Sequence, residues 1–93
     1  MRRSTSMPCN DYCWVYITRD SDSSRRYHIG FALDLPQLLN DNLQCDILYY
    51  RQFNNTMDGL AHKLFLTNVN NETLLLVIRG MNPEMRDLRR DFQ

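Results

Sequence analysis

The sequence predicts an α/β fold of the α+β type, a small three-stranded antiparallel sheet flanked by helices in the order β-β-α-β-α-α. Three observations predict it. The segment CWVYIT, Cys13 to Thr18, is built of aromatic and β-branched residues, which suit a strand covered on both faces. A polar run, RDSDSSRR, separates it from a second such segment, Arg26 to Ala32, so the two form an antiparallel hairpin with a long mobile tip. Behind these come apolar residues at helical spacing, each group opened by an asparagine or aspartate able to cap a helix.

Each element follows from local chemistry. Asp34 is an N-cap and Pro36 falls in the first turn, where a missing N–H costs nothing; Leu35, Leu38 and Leu39 then carry a short helix to about Asn42. CDILYYRQF, Cys45 to Phe53, reads as the third strand, marked by Ile47, Leu48, Tyr49 and Phe53. Asn54, Asn55 and Thr56 offer caps for a second helix whose apolar face is expected to be Met57, Leu60, Ala61, Leu64 and Phe65. Thr73 to Ile78 suits a buried strand by composition alone. The asparagines ahead of it, Glu72 in the first turn, Arg79 in the last and Gly80 beyond favour a third helix. The end of the chain adds a helical turn anchored by Leu88.

At 93 residues and 43% hydrophobic content the chain supports one core and not two. The expected division is a polar arm over residues 1–12, one domain over 13–88 and a tail over 89–93. Formal net charge is +0, so no long-range field draws the protein to nucleic acid or to an anionic membrane. No segment reads as a secretory signal or is long enough to span a bilayer, and a cytoplasmic location is expected. Cys9, Cys13 and Cys45 are odd in number and lack zinc-finger spacing, which points to reduced, partly buried thiols. His28 or His62 would join them at a metal only by coincidence of folding.

WVYI followed by YHIG resembles the two motifs that give the GIY-YIG nuclease family its name, in particular its small stand-alone UvrC-intron-type members. The likeness continues through DL at Asp34 and Leu35, LYYRQF in the third strand, and NPEMRDL from Asn82 to Leu88, and so covers Trp14 to Leu88. It implies a DNA-cutting scaffold that uses one divalent metal such as magnesium. It implies two tyrosines that order a water, an arginine and its partner on the first helix, a metal-binding glutamate on the second, and a late asparagine. Tyr16 matches the first tyrosine and Asn82 the asparagine, while His28 stands at the second tyrosine. Leu38 stands at the arginine, Asn42 at its partner and Lys63 at the glutamate.

These departures predict lost chemistry. Phosphodiester cleavage builds charge that a metal and a guanidinium must offset, and an alkyl group and an ammonium supply neither. No arginine or lysine lies between Gly30 and Tyr50, and the nearest carboxylate on the second helix, Asp58, is five positions from Lys63 and points roughly 140° away. No metal or other cofactor is therefore expected. Tyr16 and His28 are expected to face one another on neighbouring strands, more as a packing contact than as a reactive pair. Arg19, Arg25 and Arg26 at the hairpin, and Arg51 in YYRQF, are the candidates for weak, salt-sensitive contact with DNA or other nucleic acid. Lys63, the only lysine, and the alternating charges of Arg86, Asp87, Arg89, Arg90 and Asp91 read as solvated side chains. Exposed aromatics among Trp14, Tyr27, Tyr49, Tyr50 and Phe53 would suit base stacking or a protein interface. The expected function is a non-catalytic binding module, with nucleic acid as its partner. The alternatives are an active metal-dependent endonuclease with an altered site, and a regulatory or self-associating protein-binding subunit.

Overall fold

A computed structural model of the chain describes residues 12–20, 26–40 and 45–92. Residues 1–11 of the polar arm with Cys9, the hairpin tip with Arg25, and Asn42 lie outside the described residues. The element order is as the sequence predicts: β1 (Cys13–Asp20), β2 (Tyr27–Ala32), α1 (Leu35–Asn40), β3 (Cys45–Phe53), α2 (Thr56–Asn68), α3 (Asn71–Met81) and a closing 3-10 helix (Leu88–Phe92). Among the described residues no helix is long and apolar enough to cross a membrane.

β1 is central in an antiparallel sheet of order β2-β1-β3, which is why its residues are apolar on both sides. Successive side chains alternate between faces. Val15 and Ile17 join Leu48, Tyr49, Leu66, Leu74 and Ile78 in one buried cluster under α2 and α3. Trp14 and Tyr16 point the other way and pack against a second cluster of Leu35, Leu39, Ile47 and Leu88. Helices α1 and α2 therefore cover opposite faces of the sheet.

A bulge divides the two clusters. Ile17 pairs with Tyr49 but Thr18 pairs with Ile47, leaving Leu48 as an extra residue on β3. Without it, strict alternation would put Ile47 on the Tyr49 side; the extra residue turns Ile47 to the α1 face and lets both Leu48 and Tyr49 fill the other core.

The caps form as their residue types dictate. Asp34 Oδ1 accepts from the Gln37 N–H at 3.1 Å, Asn55 Oδ1 from Asp58 at 2.8 Å and Asn70 Oδ1 from Thr73 at 2.8 Å. α3 runs through Gly80 to Met81, and its stop is Asn82, whose N–H returns to the Ile78 carbonyl at 2.7 Å. The tail also belongs to the packed unit. Phe92 sets its ring edge-on to Trp14 at 5.7 Å between centroids, and Arg89 donates to the Cys45 carbonyl at 2.7 Å, so the charged end expected to be solvated is partly tied down.

One prediction for α2 is overturned. Met57, Leu60, Leu64 and Phe65 are 81%, 51%, 63% and 51% exposed, Ala61 is exposed too, and the buried residues are Gly59 and Leu66. The helix turns about half a revolution from the expected face because Gly59 allows close approach. A Cβ there would lie 2.4 Å from Cys13 Sγ and 3.3 Å from the Phe31 ring. Gly59→Ala should accordingly destabilise the protein by about 1–3 kcal/mol through overpacking, although helix propensity alone favours alanine by roughly 1 kcal/mol. Urea unfolding of the two forms checks this, and a stabilised variant would mean that α2 packs on another face.

Candidate functional site

Tyr16 lies at the centre of the sheet, opposite Gly30 on β2 and Tyr50 on β3. Its ring covers Gly30 so closely that a Cβ there would stand 2.2 Å from Tyr16 Cζ; glycine is required at this position by the tyrosine across from it. Burial raises the phenol's pKa above its ordinary value, and Cys45 nearby adds to the effect. A phenol held in its protonated form is a poor base for activating water.

His28 does not face Tyr16. It stands opposite Thr18, one pair further along the same face, and its Nε2 lies 3.2 Å from Asp20 Oδ2. Asn82 is elsewhere again, 2% exposed at the end of α3. Its amide N–H groups donate to the carbonyls of Leu48 at 3.1 Å and Arg86 at 2.7 Å, and its Oδ1 accepts from the Arg86 N–H at 3.2 Å. The Leu48 carbonyl belongs to the bulge residue, so Asn82 satisfies a group that the bulge leaves without a ladder partner. It holds the fold and has no donor left for a ligand.

Leu38 packs with Tyr16 on the α1 face. Lys63 is on α2, across the sheet, beside Leu60, Leu64 and Thr67. The positions at which the resemblance looked for an arginine and a metal ligand thus do not converge, and neither carries a donor that suits a hard cation. Among the described residues no three His, Cys, Asp or Glu side chains come together. Leu38 and Lys63 themselves do not suit the divalent metal that the resemblance implies.

The basic candidates are dispersed as well. Arg19 donates to Asp46 at 3.0 Å, Arg51 lies 5.0 Å over the Phe53 ring, and Arg26 is exposed at the start of β2. The aromatics expected on the surface are packed instead: Tyr49 is buried, and Trp14, Tyr27, Tyr50 and Phe53 are half-buried. Tyr50 donates to Asp91 at 2.8 Å.

What the surface does offer is apolar. The outward side of α2 carries Met57, Leu60, Leu64 and Phe65, and Leu60 and Leu64 border a groove with Lys63 and Thr67. Thr67 also borders a larger cavity of about 600 Å³, which Leu66, Val69 and Leu74 line from the helices and Tyr27 and Ile29 from β2. Thr67 borders both hollows. On the other flank of α2, His62 Nε2 lies 2.8 Å from Tyr49 Oη, between the Phe53 and Phe65 rings. Sequence reasoning missed this surface because it assigned the same leucines to the core; the glycine inside the helix was the available signal. No family model, curated protein or solved structure matches the chain.

Two predictions follow from these geometries. Asn82→Ala should cost about 2–4 kcal/mol, the loss of a buried group that satisfies others. Asn82→Asp should cost at least as much at neutral pH, where a carboxylate faces two carbonyls, and less in acid, where the protonated group donates once; equal, small losses would mean that these bonds are not made. Burial, with Arg51 adding, lowers the His62 pKa below its ordinary 6.5. The unfolded chain then binds the proton more readily, so the contribution of His62 is present above pH 6.5 and is lost as pH falls towards the folded value. Stability should drop from about pH 7.5 to about pH 5.5, and by less in His62→Gln; an identical drop would remove His62 as its source.

Proposed function

We propose that this chain is a non-catalytic binding domain, built on a scaffold like that of the GIY-YIG nucleases, which binds another protein through the outward side of α2. The observation that carries the reading is the apolar stripe of Met57, Leu60, Leu64 and Phe65, each half exposed or more. A surface helix normally turns charge to solvent, and a contiguous apolar patch marks an interface. The element order and the match at Tyr16 and Asn82 support the scaffold. The raised Tyr16 phenol, the separation of Leu38 from Lys63 and the structural employment of Asn82 support the loss of chemistry. Nucleic acid is the less supported partner, since Arg19 is committed to Asp46, which leaves Arg26 and Arg51 among the described candidates.

The test compares the native protein with Leu60→Glu/Leu64→Gln. The variant should keep its unfolding free energy within about 0.5 kcal/mol, as at exposed sites; loss of several kcal/mol would return these leucines to the core. Selection from a random peptide library should yield apolar peptides that bind the native protein and not the variant. Cleavage of plasmid or branched DNA with magnesium or manganese, abolished by Tyr16→Phe, would overturn the reading in favour of a nuclease. Empty selections together with salt-sensitive DNA retardation that Arg26→Glu removes would make nucleic acid the partner.

A further inference from the structure

The geometry points to a second copy of this chain as the partner, joined edge to edge through β2 so that two three-stranded sheets become one continuous antiparallel sheet. The inference rests on the reading of the chain as a binding domain and names its partner.

The two edges of the sheet are treated differently. On β3 the C-terminal segment covers the outer backbone at the start of the strand: the Ile47 N–H donates to Asp87 Oδ1 at 3.0 Å, and the Cys45 carbonyl accepts from Arg89. β2 has no such cover among the described residues. Its 6 residues, YHIGFA, include no lysine or proline, and its pairing with β1 runs from Tyr27 to Ala32 without a bulge. Those are the devices that usually blunt an edge.

The groups left open can be named. The Asp20 N–H donates to the Arg26 carbonyl at 2.9 Å, which makes that pair a hydrogen-bonded one. Alternation along an antiparallel ladder then turns the backbone of His28, Gly30 and Ala32 towards β1, and that of Tyr27, Ile29 and Phe31 outwards.

The outward set is symmetric about Ile29. A two-fold axis there bonds Ile29 to Ile29 of the second copy and Tyr27 to its Phe31, each pair exchanging two hydrogen bonds. Side chains fit the same operation. On the helix side an aromatic meets an aromatic and an isoleucine its own copy, pairs that stabilise sheets, while on the other face His28 meets Gly30, which adds no bulk. Arg26, exposed, comes opposite Ala32 and within two residues of the exposed Asp34 of the second copy, an opposite charge at each end of the joint. The formal net charge of +0 leaves no overall repulsion between copies.

A six-residue edge buries less than the roughly 800 Å² per partner of a stable interface. The neighbouring surface supplies the remainder. The cavity lined by Tyr27 and Ile29 receives the incoming side chains, and Thr67, which borders it, also borders the groove of Leu60 and Leu64, which brings the apolar side of α2 next to the joint.

Sedimentation over a wide concentration range should show a mass rising from 11.1 kDa to twice that. The amide hydrogens of Tyr27, Ile29 and Phe31 should exchange rapidly in dilute protein and become protected as the dimer forms. Ile29→Pro, at a position whose N–H faces outwards and where an edge tolerates proline, should weaken association at least about tenfold, having lost both central bonds. Exchange on the native protein decides the matter if that variant does not fold. A monomer at every concentration, a dimer without protection of those amides, or a folded Ile29→Pro that dimerises as before would overturn the inference. A monomer that still binds library peptides through α2 would leave the binding reading standing; a monomer that binds none would remove both.

Discussion

The amide of Asn82 holding the carbonyl of Leu48 is the contact on which the rest of this structure depends. It makes a bulge affordable in the middle of a small sheet, and the bulge decides which side chains fall on which face. With it, Ile47 closes the core under α1 while Leu48 and Tyr49 close the core under α2 and α3. The same asparagine binds both backbone groups of Arg86 and, through its own carbonyl, the N–H of Met85, a residue at φ 54. A non-glycine residue there carries a cost of about 1–2 kcal/mol, and the surrounding bonds fix it. The chain is thereby turned so that Asp87 and Arg89 reach the outer edge of β3. One buried amide thus links a strand irregularity, a helix end and the covering of one sheet edge.

The strands and their order were legible because composition and spacing encode them directly. CWVYIT suits a strand covered on both faces, and the asparagine caps at Asn55 and Asn70 fix where α2 and α3 begin. The bulge was not legible, since nothing in CDILYYRQF distinguishes an extra residue from a regular one. The orientation of α2 was misread for a physical reason. Counting apolar residues assumes that the largest side chains define the buried stripe, whereas this helix approaches the sheet through its smallest residue, Gly59, with Leu66 behind it. His62, polar by type, takes an inward place because Tyr49 gives it a hydrogen bond.

The candidate site was legible in its residues and not in its assembly. Motif spacing relates Tyr16, His28, Leu38, Lys63 and Asn82 along the chain, but whether they meet depends on which face each helix covers. Tyr16 and Leu38 share one face, Lys63 rides on the helix over the other, and Asn82 is sealed against the backbone. The tyrosine's tightest relation is to Gly30, whose lack of a side chain leaves room for its ring. The glycine of YHIG, which the resemblance places in a nuclease motif, answers in this chain to cross-strand packing.

An asymmetry remains between the two edges of the sheet, and it bears on what an open strand means in so short a chain. Below about 100 residues a domain buries a modest fraction of its surface, and an uncovered edge is a hazard as well as an opportunity. On β3, Asp87 and Arg89 occupy the edge at the start of the strand, at the Ile47 N–H and the Cys45 carbonyl. A copy added about a two-fold axis on β2, the edge left open among the described residues, uses that edge in both molecules, and any further growth would have to start from β3. A two-fold pairing closes on itself where a head-to-tail contact makes a fibre, and the buried asparagine, by positioning the C-terminal segment against the start of β3, makes the two edges unlike.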